Sequence, residues 1–404
     1  MMRYVLLFSL SMSLLACSTK DENPLEVTLT ALPDPAGIGS ALPFLHTNAA
    51  ETTTLSWVVT EDTLATLMYA EWTGSGEWGT PRQVAQGTDW FVNWADYPSV
   101  SSKDSVVVAH WLAKSAVATT PYDYDVNMAV SKDGGATWDE PFVLHTDGVP
   151  AEHGFVSTLA RNDGRFFATW LDGRHTKNDE GEHVGAMSLR GLSFDPTNPT
   201  LGGVELDGRV CDCCQTAAAL TSAGPIVAYR DRSEGEIRDI AVVRAQGNGW
   251  TEPIVPYADG WEIAGCPVNG PALDAQEGLV ALAWFTGAQN VPQVKLAFST
   301  DAGATWGEAI VVAKETPMGR VDVRLTPNGN AAITWMEAEG EIGHIRWALY
   351  SPKGKQLAQL TVGQTSSARK SGFPVMENTS QGMLVAWTEI SGDDTQVKAA
   401  RVRW

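Results

Sequence analysis

Short runs of apolar residues, alternating or continuous and each ending at an aromatic, recur along the whole chain: TLSWVVTED, VVAHWLAKS, FATWLDGRH, IVAYRDRSE, LAWFTGAQ, AITWMEAEG and LVAWTEISG. The aromatics are Trp57, Trp111, Trp170, Tyr229, Trp284, Trp335 and Trp387, spaced 54, 59, 59, 55, 51 and 52 residues apart. Seven units of about fifty residues is a propeller period. Each unit reads internally as four short strands. In the fifth, GPALDA, LVALAWFT, QVKLAFST and GEAIVVAK are broken by Gly, Asn and Asp turns. Helical periodicity is nowhere sustained. The pattern therefore predicts an all-β propeller of seven four-stranded blades, preferred over six or eight, occupying residues 25–404 as one domain.

The last unit runs out at Trp404 after three strands, GFPVMEN, GMLVAWTE and VKAARVRW. The spare strand LEVTLTAL near residue 25 is predicted to supply its fourth, closing the ring and removing an exposed sheet edge.

Two turns carry a sharper signature. SKDGGATW (Ser131 to Trp138) and STDAGATW (Ser299 to Trp306) fit S-x-D-x-G-x-T-W, with degenerate copies ending at Trp78 and Trp250. Each reads as a hairpin in which Asp133 or Asp301 caps backbone N–H groups, glycine accepts positive φ, and the Trp packs under the next blade. On these motifs the chain resembles the sialidase-like propellers with Asp-box (BNR) repeats. That resemblance implies a site on the face bearing the loops into each first strand and the loops joining strands two and three. It also implies a planar arginine clamp for a substrate carboxylate, a tyrosine nucleophile with an assisting glutamate, and an aspartic acid/base.

Several residues fall on that face. Loops into first strands bring Trp94 and Asp96, Glu152 and His153, Cys211, Cys213 and Cys214, Cys266, and Arg320. Loops after the core aromatics bring Tyr122 and Tyr124, Asp172, Arg174 and His175, and the run Arg230, Asp231, Arg232, Glu234 and Glu236. Arg174, Arg230, Arg232 and Arg320 are the carboxylate candidates. Asp172, Asp231, Glu234 and Glu236 are the proton-transfer candidates, and Tyr122 and Tyr124 the nucleophiles. Two departures from the resemblance are plain: there are seven repeats in place of six, and no arginine lies between Cys17 and Arg82, where the family carries its first clamp residue.

The cysteines pose a separate question, since three of five lie in RVCDCCQTAA. Cys211, Cys213, Cys214 and Cys266, with His153 as a further ligand, form a candidate site for copper or zinc, because thiolates select soft cations. Two disulfides are the other chemistry open to an even set in an exported chain.

Composition adds the setting. The chain opens on Arg3, a short apolar run and Leu-Leu-Ala-Cys ending at Cys17, followed by the polar segment STKDENP. This resembles a bacterial lipoprotein signal (residues 1–16), with Cys17 as the acylated residue, residues 17–24 as a tether, and the outer membrane, on its periplasmic or surface side, as the expected location. The formal net charge of −20 argues against nucleic acid or an anionic bilayer as partner. The expected ligand is a glycan or small anionic molecule, hydrolysed or simply bound, with a metal-binding propeller and a non-catalytic, disulfide-stapled scaffold as alternatives.

Overall fold

In the computed structural model, residues 25–404 are described except for Ser75, residues 179–181, His183 and Thr200; the signal peptide, Cys17 and the tether lie outside the described residues. Seven antiparallel sheets of four strands each form the fold. The seven core aromatics all sit on second strands, from Thr53–Glu61 in blade one to Gly382–Ser391 in blade seven. Each is nearly or fully buried, from Trp170 and Tyr229 at 0% exposure to Trp387 at 8%. One wide aromatic per blade fills the wedge between neighbouring sheets, and a fully buried aromatic contributes about 3–5 kcal/mol.

The ring closes as predicted. Thr28–Ala31 pairs antiparallel with Asp394–Arg403 as the outermost strand of blade seven, Thr28 opposite Arg403 and Ala31 opposite Ala400. Leu32 follows into the core shared by blades one and seven.

The two signature turns have the expected hydrogen bonds. Asp133 Oδ1 accepts from Thr137 N–H at 2.9 Å and Asp301 Oδ1 accepts from Thr305 N–H at 2.8 Å. The serines Ser131 and Ser299 accept from the Gly135 and Gly303 amides. Both glycines have φ above +80°, and each lies against the blade before it: a Cβ on Gly135 would meet Tyr69 Oη, and one on Gly303 would meet Ile226 Cδ1. The tryptophans follow the glycines. Trp138 packs edge-on to Tyr69 of blade one, and Trp306 joins the core between blades four and five. The packing partner is therefore the preceding blade, a correction to the sequence expectation. The turn folds back over the sheet already laid down.

First strands line the axis around a cavity of about 390 Å³. There, an acid of one blade caps a backbone amide of the next. Asp274 Oδ2 accepts from Leu325 N–H at 2.7 Å, and Asp322 Oδ2 accepts from Met376 N–H at 2.8 Å. Arg324 lies among them, bonded to Asp322 and Glu377. Asp274 is pushed up to about 7, by burial first and by its acidic neighbour Glu377.

Candidate functional site

The top face, where first strands begin and second strands end, carries two polar clusters beside the axis. The first lies at the junction of blades two and three. His153 opens the first strand of blade three (His153–Ala160) and stands opposite Asp172, the last residue of Phe166–Asp172. The connector from blade two brings His145, Asp147 and Glu152 alongside, and Tyr124–Ser131 brings Tyr124 and Asp125. His153 Nδ1 is 3.2 Å from the Ala151 carbonyl and its Nε2 is 3.0 Å from Asp147 Oδ2. Both ring nitrogens face acceptors, so the ring fits as an imidazolium. Burial alone would lower its pKa, but the Asp147 hydrogen bond and the charges of Asp172, Asp147 and Asp125 raise it.

Arg174 completes the network. Its Nε and Nη2 each lie 2.6 Å from the Asp172 carboxylate, and Nη2 is 2.9 Å from Asp147. Asp172 also accepts from Trp170 Nε1 at 2.9 Å. Although buried, Asp172 is held below its ordinary pKa by Arg174 and His153. His145 stacks on His153 with ring centroids 3.7 Å apart, and its buried Nε2 has no hydrogen-bond partner among the described residues, the Asp125 carboxylate standing 3.6 Å away. Neither His145 nor Asp147 stands out in the sequence; their signal is only that His-x-Asp shares a connector with Glu152 and His153.

Glu152 sits at the edge of this network, half-buried, with Tyr124 Oη donating to its Oε1 at 2.5 Å. Burial pushes its pKa up to about 6; the Tyr124 bond opposes that rise and the Asp212 charge adds to it. Tyr124 is itself buried, whereas Tyr122 two residues earlier is 64% exposed. Lys177 is near enough to act on Glu152 and pairs with Asp123 at 3.1 Å.

The second cluster lies between blades three and four. Cys211, Cys213 and Cys214 occupy the connector after Val204–Val210, and the loop after Gly224–Arg230 folds over them. Arg238 Nη1 is 3.1 Å from Cys211 Sγ, and its Nη2 pairs with Glu236 at 2.7 Å. Arg232 bridges Glu236 and Asp212. Hydrogen bonding with the two neighbouring thiols, together with the Arg238 charge, lowers the pKa of Cys211. The partly exposed Cys213 belongs with Trp94, Phe155, Val268 and Phe373 to one apolar group at the channel mouth.

The predicted residues thus divide. Asp172, Arg174 and His153 form one group; Arg232, Glu236, Cys211, Cys213 and Cys214 form another. His153 is not with the cysteines: its potential co-ligands are Asp125 and His145, or Asp147 and Asp172. Cys266 is exposed on the next connector and falls outside the cysteine group. All four cysteines are free thiols in this structure.

The four candidate arginines do not converge on a common point. Arg230 is buried and gives its donors to the carbonyls of Asn269, Arg238 and Phe285. Arg174 and Arg232 are held by carboxylates. Arg320 bonds Ser371 Oγ and the Ala368 and Gly372 carbonyls, and its guanidinium stands 5.0 Å over the Trp94 ring. Among the described residues no carboxylate pairs with Arg320, and burial lowers its pKa to about 10 with Arg369 adding repulsion. Asp231 accepts from the Arg232 amide and is pushed up to about 6, mainly by burial, while Glu234 is exposed at the loop tip.

No family model and no curated protein matches the chain. Among solved structures, it is similar to a Dyadobacter fermentans protein of unknown function, at 11% identity over 94% of this chain and 98% of that one, with a TM-score of 0.52. It is also similar to a PL25 ulvan lyase, at 13% identity over 93% of this chain and 98% of that one, with a TM-score of 0.58. Likeness to a Trypanosoma rangeli sialidase is weaker: 13% identity over 80% of this chain and 55% of that one, TM-score 0.42. At these identities the first two likenesses show the fold, and the third carries no argument.

Proposed function

We propose that the top face binds and processes a glycan bearing an anionic group, with Glu152 as the proton-transfer residue. The observation that carries this reading is Glu152 itself. It is a carboxyl at the rim of the channel mouth, held by Tyr124 Oη and poised at about 6, where it can both take and give a proton near neutral pH. Tyr122, exposed two residues before Tyr124 and edge-on to Phe91, offers a ring for a sugar face. Arg320, without a carboxylate partner among the described residues, and exposed Arg369 supply positive potential on the same face for a carboxylate or sulfate. The fold it shares with the ulvan lyase, also solved with a -[GlcA(1-4)Rha3S]- ligand, is consistent with a uronate-containing substrate. The sialidase form of the reading demands that a substrate carboxylate displace existing partners of Arg174, Arg232 or Arg320.

The test is a panel of uronate-containing, sialylated and neutral polysaccharides, read by binding and by release of new chain ends. An acidic member is expected to be bound and cut, with cutting lost in Glu152→Gln and affinity reduced about tenfold in Tyr122→Ala. Binding of neutral members alone, or full activity in Glu152→Gln, overturns the assignment. As part of the same reading, the protein is placed in the cell envelope through a lipid on Cys17. Unchanged membrane partition of Cys17→Ser would refute that placement.

A further inference from the structure

We infer that Cys211, Cys213 and Cys214 form a three-thiolate site for a soft metal ion, zinc or monovalent copper, at the channel mouth. The spacing is the first argument. Cys211 Sγ lies 3.9 Å from Cys213 Sγ and 3.6 Å from Cys214 Sγ, and all three sulfurs fall within 4.8 Å of one another. A disulfide needs about 2.05 Å between sulfurs. A tetrahedral ion with metal–sulfur bonds of about 2.3 Å places its sulfurs about 3.8 Å apart. The three sulfurs therefore stand at separations suited to three corners of a tetrahedral coordination polyhedron.

The surroundings fit bound thiolates. Arg238 Nη1 donates to Cys211 Sγ at 3.1 Å, and the Asn269 amide donates to Cys214 Sγ at 3.4 Å. Such outer-shell donors fix ligand orientation and offset the excess negative charge of three thiolates on a monovalent or divalent ion. Arg238 is itself held, by Glu236 on its guanidinium and by Arg230 donating to its carbonyl. Cys211 and Cys214 are buried, whereas Cys213 is partly exposed, so an ion enters from the mouth and keeps one position facing it. On binding, each thiol exchanges its S–H bond for a metal–sulfur bond and its proton passes to solvent. Sulfur ligands without carboxylate or imidazole in the set select soft ions over magnesium, calcium or manganese.

The site does not depend on the glycan reading, because its test reads metal rather than sugar. Full-length protein purified anaerobically without chelator is assayed for metal and free thiols. The apo form is then titrated with zinc and with copper(I) against a chromophoric competitor. One equivalent of a soft metal is expected. Cys211→Ser and Cys213→Ser should each weaken binding about a hundredfold or more, and Cys266→Ser less than threefold. Because Cys211 is buried, the partly exposed Cys213→Ser variant, checked by circular dichroism, keeps the test decisive if Cys211→Ser misfolds. Unchanged affinity in Cys213→Ser overturns the site, as does a mass two hydrogens light with no metal bound. An equal loss in Cys266→Ser overturns the three-cysteine assignment.

Discussion

Asp172→Ala separates a positioning role from a chemical one at the junction of blades two and three. Asp172 has no exposed surface and accepts two 2.6 Å bonds from Arg174, one from Trp170 Nε1 at 2.9 Å, and the charge of His153 Nε2 at 3.7 Å. Removing one member of a buried pair costs about 3–5 kcal/mol. Here the lower end applies, about 3 kcal/mol, because Asp147 still reaches both Arg174 and His153 and leaves neither cation bare. Asp172→Asn, which keeps an acceptor for the indole and for one guanidinium nitrogen, should recover about half of that loss. The pH dependence follows from His153. Its pKa is raised in the fold, so the stability it contributes is present below its ordinary value and lost as pH rises through the folded value. Without Asp172 that contribution shrinks, so the gap between wild type and variant is wider at pH 6 than at pH 9. Urea midpoints at both pH values, at constant slope, read the effect. A loss below about 1 kcal/mol, or a gap that widens with pH, would refute the view of Asp172 as a structural counter-ion. A variant of wild-type stability that no longer cuts glycan would make Asp172 a chemical participant instead.

Two further outcomes follow. Glu152, with a folded pKa of about 6, favours its protonated form in the fold; its stability contribution is full below its ordinary value of 4.5 and is lost as pH rises through 6. Glu152→Gln should therefore gain up to about 2 kcal/mol over wild type at pH 8 and nothing at pH 4, by urea midpoint, while flattening the pH dependence of any turnover near 6. Deleting residues 25–31 removes the strand Thr28–Ala31 and bares the edge of Asp394–Arg403. Size-exclusion chromatography should then show higher oligomers or aggregate, and a fully monomeric, equally stable deletion would refute ring closure by that strand.

The closing strand was legible because the last repeat holds only three strands of its own, and the repeat of buried aromatics and the count of seven blades because a propeller is built from local hairpins. In such hairpins a period of two and a turn every few residues determine each sheet without reference to distant residues. Which loops share a face was legible for the same reason, since strand order alone assigns each loop to one end. What the linear order left open was which of those loops meet. Arg174 and Arg232 are held by carboxylates of their own loops and the adjoining connectors. By contrast, Trp138 turning back onto blade one rather than forward, His153 joining His145 and Asp147 of the preceding connector rather than the cysteines, and Arg230 and Arg320 giving donors to the following blade are contacts between units. Those depend on the few ångströms by which side chains from adjacent sheets approach or miss one another. That distance is set by the packing of the whole ring, and no repeat of residues along one strand encodes it.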